Sequence, residues 1–222
     1  MSAYAGPEIV TNGLVVTLDA ANSKCYSGSG TTLTDISGNG RNGTLTNGPT
    51  YDGQSIVFDG IDDSMTANLT GVPNFSALTI NVWHYSNTSN NTCLINNFPF
   101  ILHFRGAGFY LRNNETPTPN ESGYLAWQTA PSGLRWNMIT GTWNGSTMKL
   151  YLNGDKQSNE RSYSGGTTGL LGNNTNVTIG GFFNSSQSWT DGKISYASIY
   201  NRALSDEEIL QNYRALRGRF GI

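Results

Sequence analysis

Carboxylates and asparagines set at short intervals among glycines are the residues best placed to do chemistry here, and they suit a hard cation. Asp35-x-Ser37-x-Asn39-Gly40 carries the oxygen ligands and the glycine of the first half of a calcium loop. Alternate positions of such a tight turn can point at one ion. The second half is missing, because Thr46 stands where a helical calcium loop places its bidentate glutamate. Carboxylates must then come from elsewhere, with Asp59, Asp63, Asp19 and Asp191 available. The candidate ligand set for Ca2+ is Asp35, Asn39, Asp59, Asp63 and Asp191. A reading without metal stands beside it, since Asp and Asn before Gly are favoured in turns that hold no ion.

A second chemistry is sugar recognition, which needs an aromatic platform for the apolar face of a pyranose and planar polar groups for its hydroxyls. Trp127, Trp189, Tyr110, Phe182, Phe183 and Asn184 are available. Trp189 follows the polar run 184–188 and reads as loop-borne, so Trp189, Trp127, Phe183 and Asn184 are the candidate carbohydrate-binding residues. Core packing is the competing fate of each ring, because aromatic side chains bury large areas in β-sandwiches.

Catalysis finds no residues to act with. Glycoside hydrolysis uses two carboxylates flanking one bond, whereas Glu115, Glu121 and Glu160 are isolated and Glu207 and Glu208 open a helix. There is no Gly-x-Ser-x-Gly elbow and no His-Glu-x-x-His pair. His84 and His103, the two histidines, read as strand residues. Gly38-x-Gly40-x-x-Gly43 satisfies the dinucleotide fingerprint in form, but no helix follows to meet a pyrophosphate.

The elements that must position these groups are strands. Leu78, Ile80 and Val82 alternate with Thr79, Asn81 and Trp83, the period of a strand with one face on a core. Asn144-Gly145 and Asn153-Gly154 punctuate residues 134–152 as hairpins, implying three antiparallel strands in a row. Within the middle one, Met148, Leu150 and Leu152 oppose Lys149 and Tyr151, so a sheet with a buried side and a wetter side is expected. Further strands are expected at 14–18, 55–59, 64–68, 98–104, 108–112, 176–180 and 193–200, with 113–123 as a long surface loop. One helix is predicted at the end, where Ser205 and Glu208 form a capping box ahead of the Ile209, Tyr213, Leu216 stripe.

Composition agrees with many short strands joined by polar turns. The 222 residues include 27 glycines and, for a core, eleven Tyr, nine Phe and five Trp. One domain over 1–222 is expected, with 1–12 as an N-terminal arm. Only 13% of residues are charged and the net charge is −2, which supplies no basic field for nucleic acid and no patch for an anionic membrane. Cys25 and Cys93, lying far apart in sequence, read as free thiols. MSAYAGPEIV has neither a basic start nor an apolar stretch, so no export signal is expected in the chain as given, and no run approaches the ~20 apolar residues of a membrane span.

Several of these segments together resemble a known family. Residues 14–19, the SGNG loop within 35–43, the FDG-x-x-D strand end at 58–63, the hairpin 136–154 with its YLNG end, Gly192-Lys-Ile and the RALSDEEI turn occur in the order of the laminin-G-like pattern. The resemblance is to the laminin-G-like branch of the concanavalin A-like lectin/glucanase fold. It implies an all-β jelly-roll sandwich of two antiparallel sheets with a short C-terminal helix, calcium at its rim, and binding in place of catalysis. The ending NYRALRGRFGI is similar to the tails of laminin-G-like proteins of tailed bacteriophages. That similarity implies a virion decoration or fibre-associated protein, with capsid or tail proteins and host or environmental glycans as partners and a homo-oligomer as a possible form. A bacterial carbohydrate-binding module at an extracellular location, or a degenerate glycosidase, is the alternative.

Overall fold

The structure, a computed structural model, describes residues 7–73, 75–90, 92–97, 100–106, 108–111, 123–163, 175–181 and 189–222. Two eight-stranded antiparallel sheets face each other, as expected. In chain order the strands are Leu14–Asp19 (β1), Thr32–Leu33 (β2), Gly43–Thr46 (β3), Thr50–Tyr51 (β4), Ile56–Asp59 (β5), Ser64–Asn68 (β6), Leu78–Ser86 (β7) and Cys93–Asn97 (β8). They continue with Phe100–His103 (β9), Phe109–Leu111 (β10), Gly123–Leu125 (β11), Trp136–Trp143 (β12), Thr147–Leu152 (β13), Asp155–Ser162 (β14), Asn176–Ile179 (β15) and Asp191–Tyr200 (β16). The first sheet runs β14-β13-β12-β7-β16-β5-β4, with β1 also on β16; the second runs β11-β10-β9-β8-β15-β6-β3-β2.

Local chemistry explains the turns. Asn153 and Gly154 both take positive φ, 56° and 86°, the conformation that a two-residue hairpin between right-twisted strands demands. At the preceding corner the Asn144 Oδ1 accepts the backbone N–H groups of Ser146 and Thr147, closing the turn with its own side chain. Strand β16 serves two partners along one edge. Its residues 191–194 pair β5 and residues 196–200 pair β1, and on the opposite edge the pairing with β7 is irregular between Ile194 and Tyr196, level with that handover.

Between the sheets lies the main core, which takes Leu78, Ile80 and Val82 from β7 together with Leu102, Phe109, Met148 and Leu150. The opposite face of the first sheet departs from expectation. Thr79, Asn81 and Tyr151, placed by alternation on a wetter side, are buried. The helix Asp206–Leu216 (α1) covers that face, packing Ile209 and Leu216 with Trp83, Met138, Tyr196 and Tyr200 in a second apolar cluster. Polar residues survive there because they bond one another: the Thr140 hydroxyl donates to Asn81 at 2.6 Å, and Tyr151 donates to Asp206 at 2.8 Å.

The helix starts as its sequence predicts. Ser205 and Glu208 complete the capping box, and Arg202 grips the Glu208 carboxylate through both terminal nitrogens at 2.7 and 2.6 Å, holding that carboxyl below its usual range. The arm from residue 7 onward is docked. Asn212 accepts the Val10 N–H at 2.8 Å, and the Tyr200 hydroxyl donates to the Val10 carbonyl at 2.8 Å, so the segment around Val10 and α1 lie over the same sheet. Cys25 and Cys93 are buried free thiols, and burial pushes the Cys25 thiol up to about 11. Among the described residues no helix is long and apolar enough to cross a membrane.

Candidate functional site

Strand β5 delivers Asp59 to one end of the sandwich, and β6 begins immediately after Asp63. Between them Gly60 takes φ +79°, and a β-carbon there would lie 2.8 Å from that of Asp191, so this tight corner requires glycine. The loop ties itself with its own carboxylates. Asp59 Oδ1 accepts the Ile61 N–H at 2.8 Å, and Asp63 Oδ2 accepts the Asp59 N–H at 3.0 Å. Asp59, Asp62 and Asp63 each turn an oxygen into one space, all within 4.8 Å of one another. Burial raises the Asp63 carboxyl above its usual range, and the nearby Asp59 and Asp62 charges push it further, against the hydrogen bond from the Asp59 backbone.

Asp191 stands opposite Asp59 in the β16–β5 register, its carboxylate held by the Asn87 amide at 2.8 Å. Two residues earlier, Trp189 is half-buried, its six-membered ring seated over Gly181 where a β-carbon would otherwise project. Thr190 fixes the approach by donating its N–H to Gly180 at 2.8 Å and its hydroxyl to the Cys93 carbonyl at 3.0 Å. Cys93 pairs with His103, whose carbonyl accepts the Trp127 indole N–H at 3.3 Å. Both predicted tryptophans therefore share the end of the sandwich that carries the acidic loop. Trp127 is half-buried against the core, so its ring offers only part of a platform.

The predicted ligand set does not converge as a whole. Asp59, Asp63 and Asp191 meet at this rim, whereas Asp35 and Asn39 lie toward the other end. Asp35 accepts the Thr17 N–H, and Thr17 pairs with Ser198, seven positions along β16 from Asp191; at ~3.3 Å per residue that is about 23 Å. Both Asp35 oxygens are occupied by their own loop, taking the N–H groups of Thr17, Ser37 and Arg41 and the Ser37 hydroxyl at 2.8–3.0 Å. Asn39 spends its amide on the Leu14 and Val15 carbonyls at 3.0 Å. The SGNG turn is thus a staple holding its loop to β1. Asp19, also considered, is engaged by Arg219 at 2.7 Å. Phe183 and Asn184 lie outside the described residues.

Sequence reasoning missed Asp62 as a member of the acidic cluster and Asn87 as the group that orients Asp191. The Asp62-Asp63 doublet was the available signal for the first. Nothing local marked Asn87, which reaches Asp191 across 104 positions.

Comparisons with known proteins follow the same architecture. No curated protein sequence matches the chain. Among solved structures, it is similar to the binding domain of botulinum neurotoxin serotype D (16% identity, TM-score 0.64, covering 93% of this chain and 53% of that one). It is also similar to domain 4 of AbnA, a GH43 extracellular arabinanase of Geobacillus stearothermophilus, in complex with arabinotriose (14%, 0.64, 90% and 98%). A third likeness is to Trypanosoma rangeli sialidase (12%, 0.66, 97% and 36%). The chain spans about half of the neurotoxin binding domain and about a third of the sialidase. At these identities the likeness is one of fold. A family model, Laminin_G_3, described as Concanavalin A-like lectin/glucanases superfamily, matches residues 58–210, which run from the FDG strand end into α1. The chain belongs to that family.

Proposed function

We propose that this chain is a non-enzymatic glycan-recognition module whose acidic rim holds Ca2+ beside Trp189. The observation that carries the reading is the convergence of the Asp59, Asp62 and Asp63 carboxylates, with Asp191 across the strand pair from Asp59 and Trp189 two residues before it in the chain. Three hard oxygens within 4.8 Å of one another match the span across a calcium ion, about twice a Ca–O distance of ~2.4 Å. An ion there would offset the Asp59 and Asp62 charges that add to the effect of burial on Asp63, and would leave coordination positions for ligand hydroxyls. Glycan binding is supported by the likeness to an arabinanase domain bound to arabinotriose.

Geometry argues against hydrolysis at the rim. A glycosidase sets its two acids on opposite sides of the scissile bond. Asp59, Asp62 and Asp63 sit on one five-residue turn, where no sugar bond can lie between them.

The module belongs, in this reading, on a virion surface as a decoration or fibre-associated protein in contact with capsid or tail proteins. The support is the resemblance of residues 212–222 to phage laminin-G-like tails. Immunogold labelling of purified particles tests that placement, and particles bare of label contradict it. The arabinanase domain, matched over 98% of its length, favours a bacterial carbohydrate-binding module as the second reading.

Calcium is tested by thermal unfolding. Saturating CaCl2 raises the midpoint of the wild-type chain, by up to ~2.7 kcal/mol of stability at a hundredfold excess over Kd. The Asp59→Asn/Asp63→Asn double variant keeps the loop's hydrogen-bond acceptors and loses the shift. Equal shifts in both proteins, or none in the wild type, overturn the ion site. Trp189→Ala, in the same buffer, weakens retention on a glycan the wild type binds by tenfold or more; unchanged retention removes Trp189 from the site.

A further inference from the structure

Six Asn-Gly pairs punctuate the chain, at 12–13, 39–40, 42–43, 47–48, 144–145 and 153–154. Asparagine is the thermolabile member of such a pair, and a glycine after it sets no side chain in the way of its own backbone nitrogen. That nitrogen reaches the asparagine side chain only if the peptide group between them rotates, so the fold's grip on each pair decides whether it reacts. Five are held. Arg202 donates to the Asn12 carbonyl at 2.9 Å, and the Leu14 N–H closes the turn on Thr11. The Asn39 amide is spent on the Leu14 and Val15 carbonyls; Asn42 Oδ1 accepts the Asp35 N–H, and Gly43 is paired with strands on both sides. Asn144 Oδ1 accepts the Ser146 and Thr147 N–H groups. Asn153 Oδ1 accepts the Met138 N–H at 2.8 Å, and Gly154 is buried against Leu210 and Tyr213 of α1.

Asn47-Gly48, in the turn between β3 and β4, is the exception. Both residues are exposed, Asn47 at φ +68° and Gly48 at φ +106°, with open space where a β-carbon on Gly48 would project. Among the described residues none bonds the Gly48 N–H or the Asn47 carbonyl. The Asn47 side chain makes one bond, from Nδ2 to the Asp62 carbonyl at 3.0 Å, through the nitrogen that leaves in the reaction. We infer that Asn47 is a self-modification site, converting to aspartate or isoaspartate in the folded chain and thereby untying the acidic loop. The Gly48 nitrogen, giving its proton to hydroxide, bonds to Asn47 Cγ; the Cγ–Nδ2 bond breaks, and Nδ2 takes a proton from water and departs as ammonia. Water then opens the five-membered imide at either carbonyl. The Asp62 carbonyl loses its donor, because a carboxylate only accepts, and a new negative charge arrives beside Asp59, Asp62 and Asp63. Only water is consumed, and the step is the same whether or not the rim binds an ion.

The full chain is aged in warm, mildly alkaline buffer containing chelator, so that the test does not depend on the proposed ion site. Peptide mass spectrometry at intervals locates each amide-to-acid mass gain, and a protein isoaspartyl methyltransferase labels isoaspartate. Asn47 is expected to convert at least tenfold faster than any of the other five asparagines. In urea that lead disappears, because the bonds that protect the others are gone. The Ile61 and Asp62 N–H groups, both bonded to Asp59 Oδ1 inside the loop, are expected to exchange with deuterium at least threefold faster in the aged chain and in Asn47→Asp than in the fresh wild type. The inference is overturned if another Asn-Gly pair converts first, if Asn47 keeps its lead in urea, or if exchange in the loop is the same before and after conversion.

Discussion

Acidification to pH 4.5 is expected to remove about 5 kcal/mol of folding stability through two histidines alone. His84 is fully buried with neither ring nitrogen partnered, and the Phe104 ring meets it edge-on at 4.8 Å. Burial pulls its pKa down to about 3; His103 is drawn down to about 4, also by burial and against a backbone hydrogen bond with Thr92. Both folded values lie below the ordinary ~6.5, so between pH 6.5 and about 4 the unfolded chain binds protons that the folded chain refuses. Stability is therefore whole above pH 6.5 and falls as pH drops below it, by up to ~1.4 kcal/mol per unit for each histidine. The loss continues to about pH 4 for His103 and about pH 3 for His84. Urea unfolding across pH 4.5–7.5 measures the slope. His84→Leu removes about half of the histidine contribution, whereas a slope equal to that of the wild type would show that His84 is not held neutral.

Trp83→Ala is expected to cost 3–5 kcal/mol, the range for deleting a large buried aromatic. The ring is fully buried and stacks on Phe220 at 4.4 Å and on Tyr213 at 5.6 Å, one from the C-terminal turn and one from α1. Trp136 also meets Phe220, at 4.5 Å, so these rings tie the turn at 217–220 to the sheet. The variant should therefore lose both stability and the protection of its C-terminus from proteolysis. Phe220→Ala, truncating a half-buried ring, costs less. A Trp83→Ala midpoint within 1 kcal/mol of wild type would mean that α1 is held mainly by its caps and the Arg202–Glu208 pair.

The helix and the hairpins were legible because each is written locally: Ser205 with Glu208, Asn144 with Gly145, Asn153 with Gly154. Alternation in β7 also placed Leu78, Ile80 and Val82 on the inter-sheet core. Its other face misled, since Thr79, Asn81, Ser198 and Thr140 look solvent-facing yet lie under α1, bonded among themselves and to nearby backbone. Which helix covers which sheet is a tertiary fact with no local signature. Strand β8, Cys93–Asn97, went unread as a strand. The site divided along the same line. Asp59 and Asp63 were legible as two carboxylates bracketing one turn, and Asp191 joined them through strand pairing. Asp35 and Asn39 were drawn into the ligand set because a turn staple and a calcium loop use the same residues at the same spacing.

Recognition at the rim is tested most directly by probing a glycan array with the wild-type chain in millimolar Ca2+ and again in chelator. The account predicts retention on a defined subset of glycans in calcium, its loss in chelator, and every retained glycan recovered intact. Retention on no glycan in either buffer, or release of reducing sugar from those retained, would contradict it.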